Sequence, residues 1–141
     1  MAERGLEGID HTVQQTYAWI DQLATAFHGD RHRGFAILRA FLHALRDHLS
    51  IDESAQLAAQ LPLLIRGVYY EGWDPSRSAQ HQRTAEAFLQ RFTTESGVRA
   101  MDARDALIAV ATVVSGHITG GEARQVLMAL PKHLRDLITA A

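Results

Sequence analysis

HLSIDESAQLAAQLPLLIR, from His48 to Arg66, is answered later in the chain by HITGGEARQVLMALPKHLR, from His117 to Arg135. The two segments share six identities at an offset of 69: His48 with His117, Glu53 with Glu122, Gln56 with Gln125, Leu61 with Leu130, Pro62 with Pro131 and Arg66 with Arg135. Each also carries a hydroxyl three residues before its glutamate, Ser50 and Thr119. That spacing is a capping box, in which hydroxyl and carboxylate satisfy free amides at a helix start. Each proline closes the helix so begun and suits the first turn of the next.

Working outward, the same offset lays Asp10–Gly72 over Ala79–Ala141 without a gap. Val13, Tyr17, Ile20, Ala24 and Phe27 recur at helical spacing and predict an amphipathic helix from about Asp10 to Phe27, matched by one from about Ala79 to Thr94. Phe35, Leu38, Leu42, Leu45 and Leu49 predict the next, from about Gly34 to His48, with its copy over Asp102 to Gly116. A fourth helix buries Leu64, Ile65 and Val68 in one half and Leu134, Leu137 and Ile138 in the other. Sustained alternation of β-branched and polar residues is missing, so the expected fold is all-α. It consists of about eight helices, as two pseudo-symmetric four-helix repeats packed into one globular bundle. The repeats are 10–72 and 79–141 with a joint at 72–78, and residues 1–141 are expected to form a single domain.

The 141-residue length suits one core, which at this size removes on the order of 70% of the unfolded chain's surface from water. With no Cys there is no disulfide, thiolate-held zinc or thiol nucleophile. A net charge of −2 without a dense basic block argues against nucleic acid. The most apolar stretch, Ala106–Val114, is far short of the roughly 20 residues that span a bilayer, so no membrane association is expected. No start resembles an export signal, and the expected location is cytoplasmic.

The segment RAFLHALRDHLSIDESAQLAAQLPLLIRGVYYEGWDP, Arg39 to Pro75, resembles the hallmark of a bacterial family, domain of unknown function 2267. The resemblance extends through HITGGEARQVLMALPKHLRDL, His117 to Leu137. It implies an all-helical bacterial protein and supplies no activity, substrate, cofactor or catalytic residue.

Candidate sites come from the residues alone. His48 and His117 occupy matching positions near helix C-termini, where an imidazolium favours the helix dipole. The functional alternative is that the fold brings them together. Arg66 and Arg135 also match, and each is expected to pair with a carboxylate such as Glu53 or Glu122. YYEGWDP belongs to the first half only: Tyr69, Tyr70 and Trp73 bring three rings to a helix end, as an anchor for the joint or as an interface, with Gly72 allowing a left-handed turn. His28 and His32 flank Asp30 in HGDRHRG, which reads as an interhelical turn, and no metal or other cofactor is expected. Nucleophile elbows, phosphate loops and zinc helices are missing, so no catalytic residue is assigned. The expected function is a non-enzymatic helical binding or assembly module acting through protein–protein contacts, with a second copy or another protein as partner. The alternative is a small-molecule or metal site between the repeats, built from His48, His117, Arg66 and Arg135.

Overall fold

Ser50 begins a helix as its spacing from Glu53 predicts: its Oγ accepts from the Glu53 amide at 3.1 Å, and the Glu53 carboxylate accepts from the Ser50 amide at 2.9 Å. Thr119 forms the hydroxyl half of the same motif, its Oγ1 accepting from the Glu122 amide at 3.2 Å. These caps open the third and seventh helices of a computed structural model that describes residues 6–77, 84–130 and 132–139. The helices are α1 (Glu7–Ala24), α2 (Arg31–His48), α3 (Ile51–Ala58), α4 (Leu63–Tyr70), α5 (Ala85–Ser96), α6 (Ala103–His117), α7 (Gly120–Ala129) and α8 (Lys132–Thr139). Among the described residues there is no strand, and the protein is all-α. His81, Pro131 and Ser78 lie outside the described residues, as does the side chain of Leu137.

Boundaries depart from the periodicity where caps decide them. α1 tightens into a 3-10 turn at Thr25–Phe27, and His28 and Gly29 then take left-handed φ values of 59° and 78°. Asp30 caps α2, its carboxylate accepting from the Arg33 amide at 3.1 Å. His28 and His32 are therefore separated by a helix break and do not share a face. α5 starts at Ala85, where Thr84 is extended and its Oγ1 accepts from the Ala87 amide at 3.1 Å; the expected start at Ala79 lies outside the described residues.

α2 is the central helix, packed on α1, α4, α5 and α6. Ile37, Leu38, Leu42, Leu45 and Leu49 are buried there in one continuous apolar cluster with Trp19 and Leu23 of α1, Phe88 and Phe92 of α5, Leu107 and Val110 of α6, and Leu134 of α8. The α1–α2 crossing is close at Gly34, where a Cβ would meet the Ile20 carbonyl oxygen at 3.1 Å.

Four residues expected in the core lie at the surface instead: Val13, Tyr17, Phe35 and Leu64 are 37%, 49%, 38% and 42% exposed. α1 buries Thr12, Thr16, Trp19, Ile20 and Leu23, a stripe displaced from the more apolar one. Both threonines are satisfied. Thr16 Oγ1 donates to the Thr12 carbonyl at 2.7 Å, and Thr12 Oγ1 accepts from the Leu64 amide at 2.8 Å. That amide belongs to the first turn of α4, where Pro62 at the cap position supplies no side-chain acceptor. Thr12 thus caps α4 from another helix, and its burial costs little because its oxygen is paired.

Candidate functional site

The four misplaced apolar residues are neighbours. Val13 and Tyr17 of α1, Phe35 of α2 and Leu64 of α4 line one open groove, with Arg31 and His32 at its edge. Arg31 places its guanidinium 4.9 Å over the Tyr17 ring, while its Nε and Nη2 donate to the Asp21 carboxylate at 2.7 and 2.9 Å. That bond leads the effects that hold the Asp21 carboxyl below its usual range. Leu6 and Ile9, also exposed, extend the α1 stripe toward the N-terminus. At the offset of 69, the counterparts of Tyr17, Phe35 and Leu64 are Glu86, Arg104 and His133, all exposed. The counterpart of Val13 is Gln82, outside the described residues. The second half is polar where the first is apolar.

A second cluster joins α2, α4 and α5. Arg46, 2% exposed, donates through Nη1 to the Tyr69 and Glu71 carbonyls at 2.9 and 2.7 Å, and through Nε and Nη2 to the Asp47 carboxylate at 2.7 and 3.1 Å. Arg91 of α5 pairs with the same carboxylate. His43, one turn before Asp47, faces the Glu95 carboxylate through Nδ1 at 2.6 Å and the Val68 carbonyl through Nε2 at 2.7 Å. A carbonyl only accepts, so Nε2 carries a proton. Arg39 completes the row, its Nε 2.8 Å from the Glu71 carboxylate; that hydrogen bond lowers the Glu71 carboxyl. The groups are paired with one another, as the buried members must be to offset their desolvation, and the arrangement works as a polar fastener.

Burial alone would raise the Asp47 carboxyl, but hydrogen bonds and charge from Arg46 and Arg91 outweigh it and hold the group below the ordinary carboxylate range. A carboxyl lower in the folded chain than in the unfolded one adds stability that is complete above the unfolded value, about 4, and is lost as pH falls through the folded value. Urea midpoints for the wild-type chain should therefore decline below about pH 4, and Asp47→Asn should show a shallower decline. An identical acid slope in the variant would remove Asp47 from this role.

The structure gives the paired histidines different surroundings. His48 is buried, its ring edge-on to Phe88 with centroids 5.8 Å apart. His117 is exposed, stacked on Trp19 at 4.5 Å and donating from Nε2 to the Gln22 side-chain oxygen. Arg66 donates to the Ala58 and Leu61 carbonyls at 2.8 and 3.0 Å, and Arg135 to the Met128 carbonyl at 3.4 Å. The expected carboxylate partners are thus corrected. The arginines cap the C-terminal ends of α3 and α7, whose carbonyls attract a cation, and Glu53 is engaged at its own cap.

An apolar cavity between the halves, lined by Phe41, Leu45, Ala111 and Val114 among others, holds about 40 Å³ and touches none of these four residues. It is far below the roughly 300 Å³ at which ligand pockets begin. Tyr69 is fully buried, and burial pushes its phenol up. Tyr70 stacks on Trp73 at 5.2 Å, beside a left-handed Gly72. Tyr69 anchors the joint in the core and offers no surface to a partner. Among the described residues, no three His, Asp or Glu side chains converge as a metal site would require.

The family model described as an uncharacterised conserved protein, DUF2267, matches residues 16–137. The chain belongs to the DUF2267 family. A comparison with curated proteins found no match. The DUF2267 match covers the two features that sequence reasoning missed, the fastener and most of the groove. The fastener had a signal: Arg39, His43 and Asp47 recur at four-residue steps on α2, and their counterparts Ile108, Thr112 and Gly116 carry no charge. Among the described residues of this DUF2267 chain, no helix is long and apolar enough to cross a membrane.

Proposed function

We propose that the chain is a non-enzymatic helical binding or assembly module, acting through protein–protein contacts at the groove between α1, α2 and α4. One observation carries this reading. Tyr17, Phe35 and Leu64 are exposed and contiguous, and the fold is built at their counterparts with Glu86, Arg104 and His133. The fold therefore does not need apolar side chains at these surface positions, and a contiguous exposed apolar patch is the mark of an interaction surface. The location remains the cytoplasm in this proposal, and neither nucleic acid nor a membrane is the partner.

The packing supports descent of the two halves from one duplicated unit. Exchanging α1–α4 for α5–α8 turns α1·α2 into α5·α6, α2·α4 into α6·α8, α1·α4 into α5·α8 and α1·α6 into α2·α5, and both members of each pair are in contact. The exchange also leaves α2·α6 and α3·α7 unchanged, as helices astride a pseudo-two-fold axis would be.

A benzophenone amino acid placed at Tyr17 in the full chain tests the surface by irradiation in living cells. A discrete protein adduct is expected there and none with the same probe at Glu86. Equal yields at both positions, or no adduct at Tyr17, would refute the reading.

A further inference from the structure

The ionisable groups differ between the two ends of the exposed α1 stripe. Glu7 and Asp10 stand exposed in the first turn of α1, whereas Arg31, paired with Asp21, and His32 stand exposed at the far end of the stripe, beside Tyr17. At 1.5 Å per residue, Glu7 lies about 9 Å before Val13 along the axis, and Arg31, held between Tyr17 and Asp21, lies about 6 to 12 Å beyond it. A two-fold axis through Val13 therefore lays Glu7 and Asp10 of one copy against the Arg31–Asp21 pair of another.

The apolar part is self-complementary in the same sense. Leu6, Ile9, Val13 and Tyr17 form an exposed ridge at steps of three and four residues, and the groove bounded by Tyr17, Phe35 and Leu64 runs beside it. Ridge and groove on one surface are what an isologous interface requires. Arg31 commits Nε and Nη2 to Asp21, and its Nη1 makes no hydrogen bond among the described residues. A second carboxylate can approach that edge.

Resting on the reading of the groove as a docking surface, we propose that its occupant is a second copy of this chain, packed with the two α1 helices antiparallel across Val13. Glu7 of each copy then faces Arg31 of the other. The apolar ridges supply the affinity, and the charges set the direction, since Glu7 and Asp10 of the two copies would meet each other in the parallel arrangement.

Light scattering on the eluting full-length chain at about 100 μM, where a dimer of micromolar Kd is largely formed, should read twice the 15.6 kDa of one chain. Val13→Glu should raise Kd by about 100-fold or more, since it buries two unpaired carboxylates at the axis, with helical circular dichroism unchanged because Val13 is partly exposed in the single chain. Glu7→Arg and Arg31→Glu should each weaken the dimer by about tenfold, the pair occurring twice per dimer, and the combined reversal should restore it. A wild-type mass of one chain, a Val13→Glu variant that still dimerises, or a combined reversal no tighter than the single ones would each overturn the proposal. The adduct at Tyr17 separates the two readings. An adduct with a different protein from a monomeric chain refutes the second copy and leaves the docking surface standing, whereas no adduct refutes both.

Discussion

Replacing Arg46 by alanine is expected to lower the free energy of unfolding by about 3 to 5 kcal/mol, the range for breaking a buried ion pair by removing one partner. The side chain is 2% exposed and serves two ends at once. Its Nη1 closes the end of α4 at the carbonyls of Tyr69 and of Glu71 just beyond it, while its Nε and Nη2 hold Asp47, which α5 reaches through Arg91. Alanine leaves two carbonyls without their donor, a half-buried carboxylate with one cation where it had two, and a void the length of the lost stem. Arg46→Met fills most of that void and should recover part of the loss, so the difference between the variants separates packing from charge. Asp47→Asn should cost less than Arg46→Ala, because the Arg46 contacts to α4 persist. Urea titrations followed by circular dichroism measure all three. A loss under about 1 kcal/mol for Arg46→Ala would mean that the cluster does not hold the helices together, and its charges would have to be explained by chemistry instead.

The helix order was readable because its signals are local. Ser50 with Glu53, Thr119 with Glu122 and the prolines after Leu61 and Leu130 act within one turn of chain, and a short-range pattern survives without knowledge of the partners. α2 was readable for a different reason: Leu38, Leu42, Leu45 and Leu49 all enter the core, so period and burial agree. α1 is ambiguous in the sequence because it carries two overlapping stripes. The one with Val13 and Tyr17 is the more apolar, yet the core took Thr12 and Thr16, whose hydroxyls are paired with a carbonyl and with the α4 amide. Nothing in a hydropathy pattern reveals that pairing, because Leu64 lies 52 residues from Thr12. The fastener escaped notice on similar grounds. Arg46 sits one turn after Leu42, in the register of the apolar stripe, and its acceptors on α4 are more than 20 residues away. The groove is not legible in the sequence, because apolar residues at helical spacing look alike whether or not the core of one chain reaches them.

Leu23→Ala and Phe92→Ala should each destabilise the whole chain, by about 2 to 5 and 3 to 5 kcal/mol respectively. The two positions correspond at the offset of 69, and neither side chain has any exposure. Leu23 lies on α1 and Phe92 on α5, and both enter the single apolar cluster in which α2 is packed from both halves. If the halves were independent domains, Phe92→Ala would loosen α5 to α8 while α1 to α4 still melted at the wild-type temperature. A shared core predicts otherwise, because α2 loses its main neighbour when α5 departs, and the central helix then exposes its apolar stripe. Each variant should therefore melt in one transition, with calorimetric and van't Hoff enthalpies in agreement. Two resolved transitions in Phe92→Ala, the upper one unmoved, would show that the halves fold separately and that one core does not serve both.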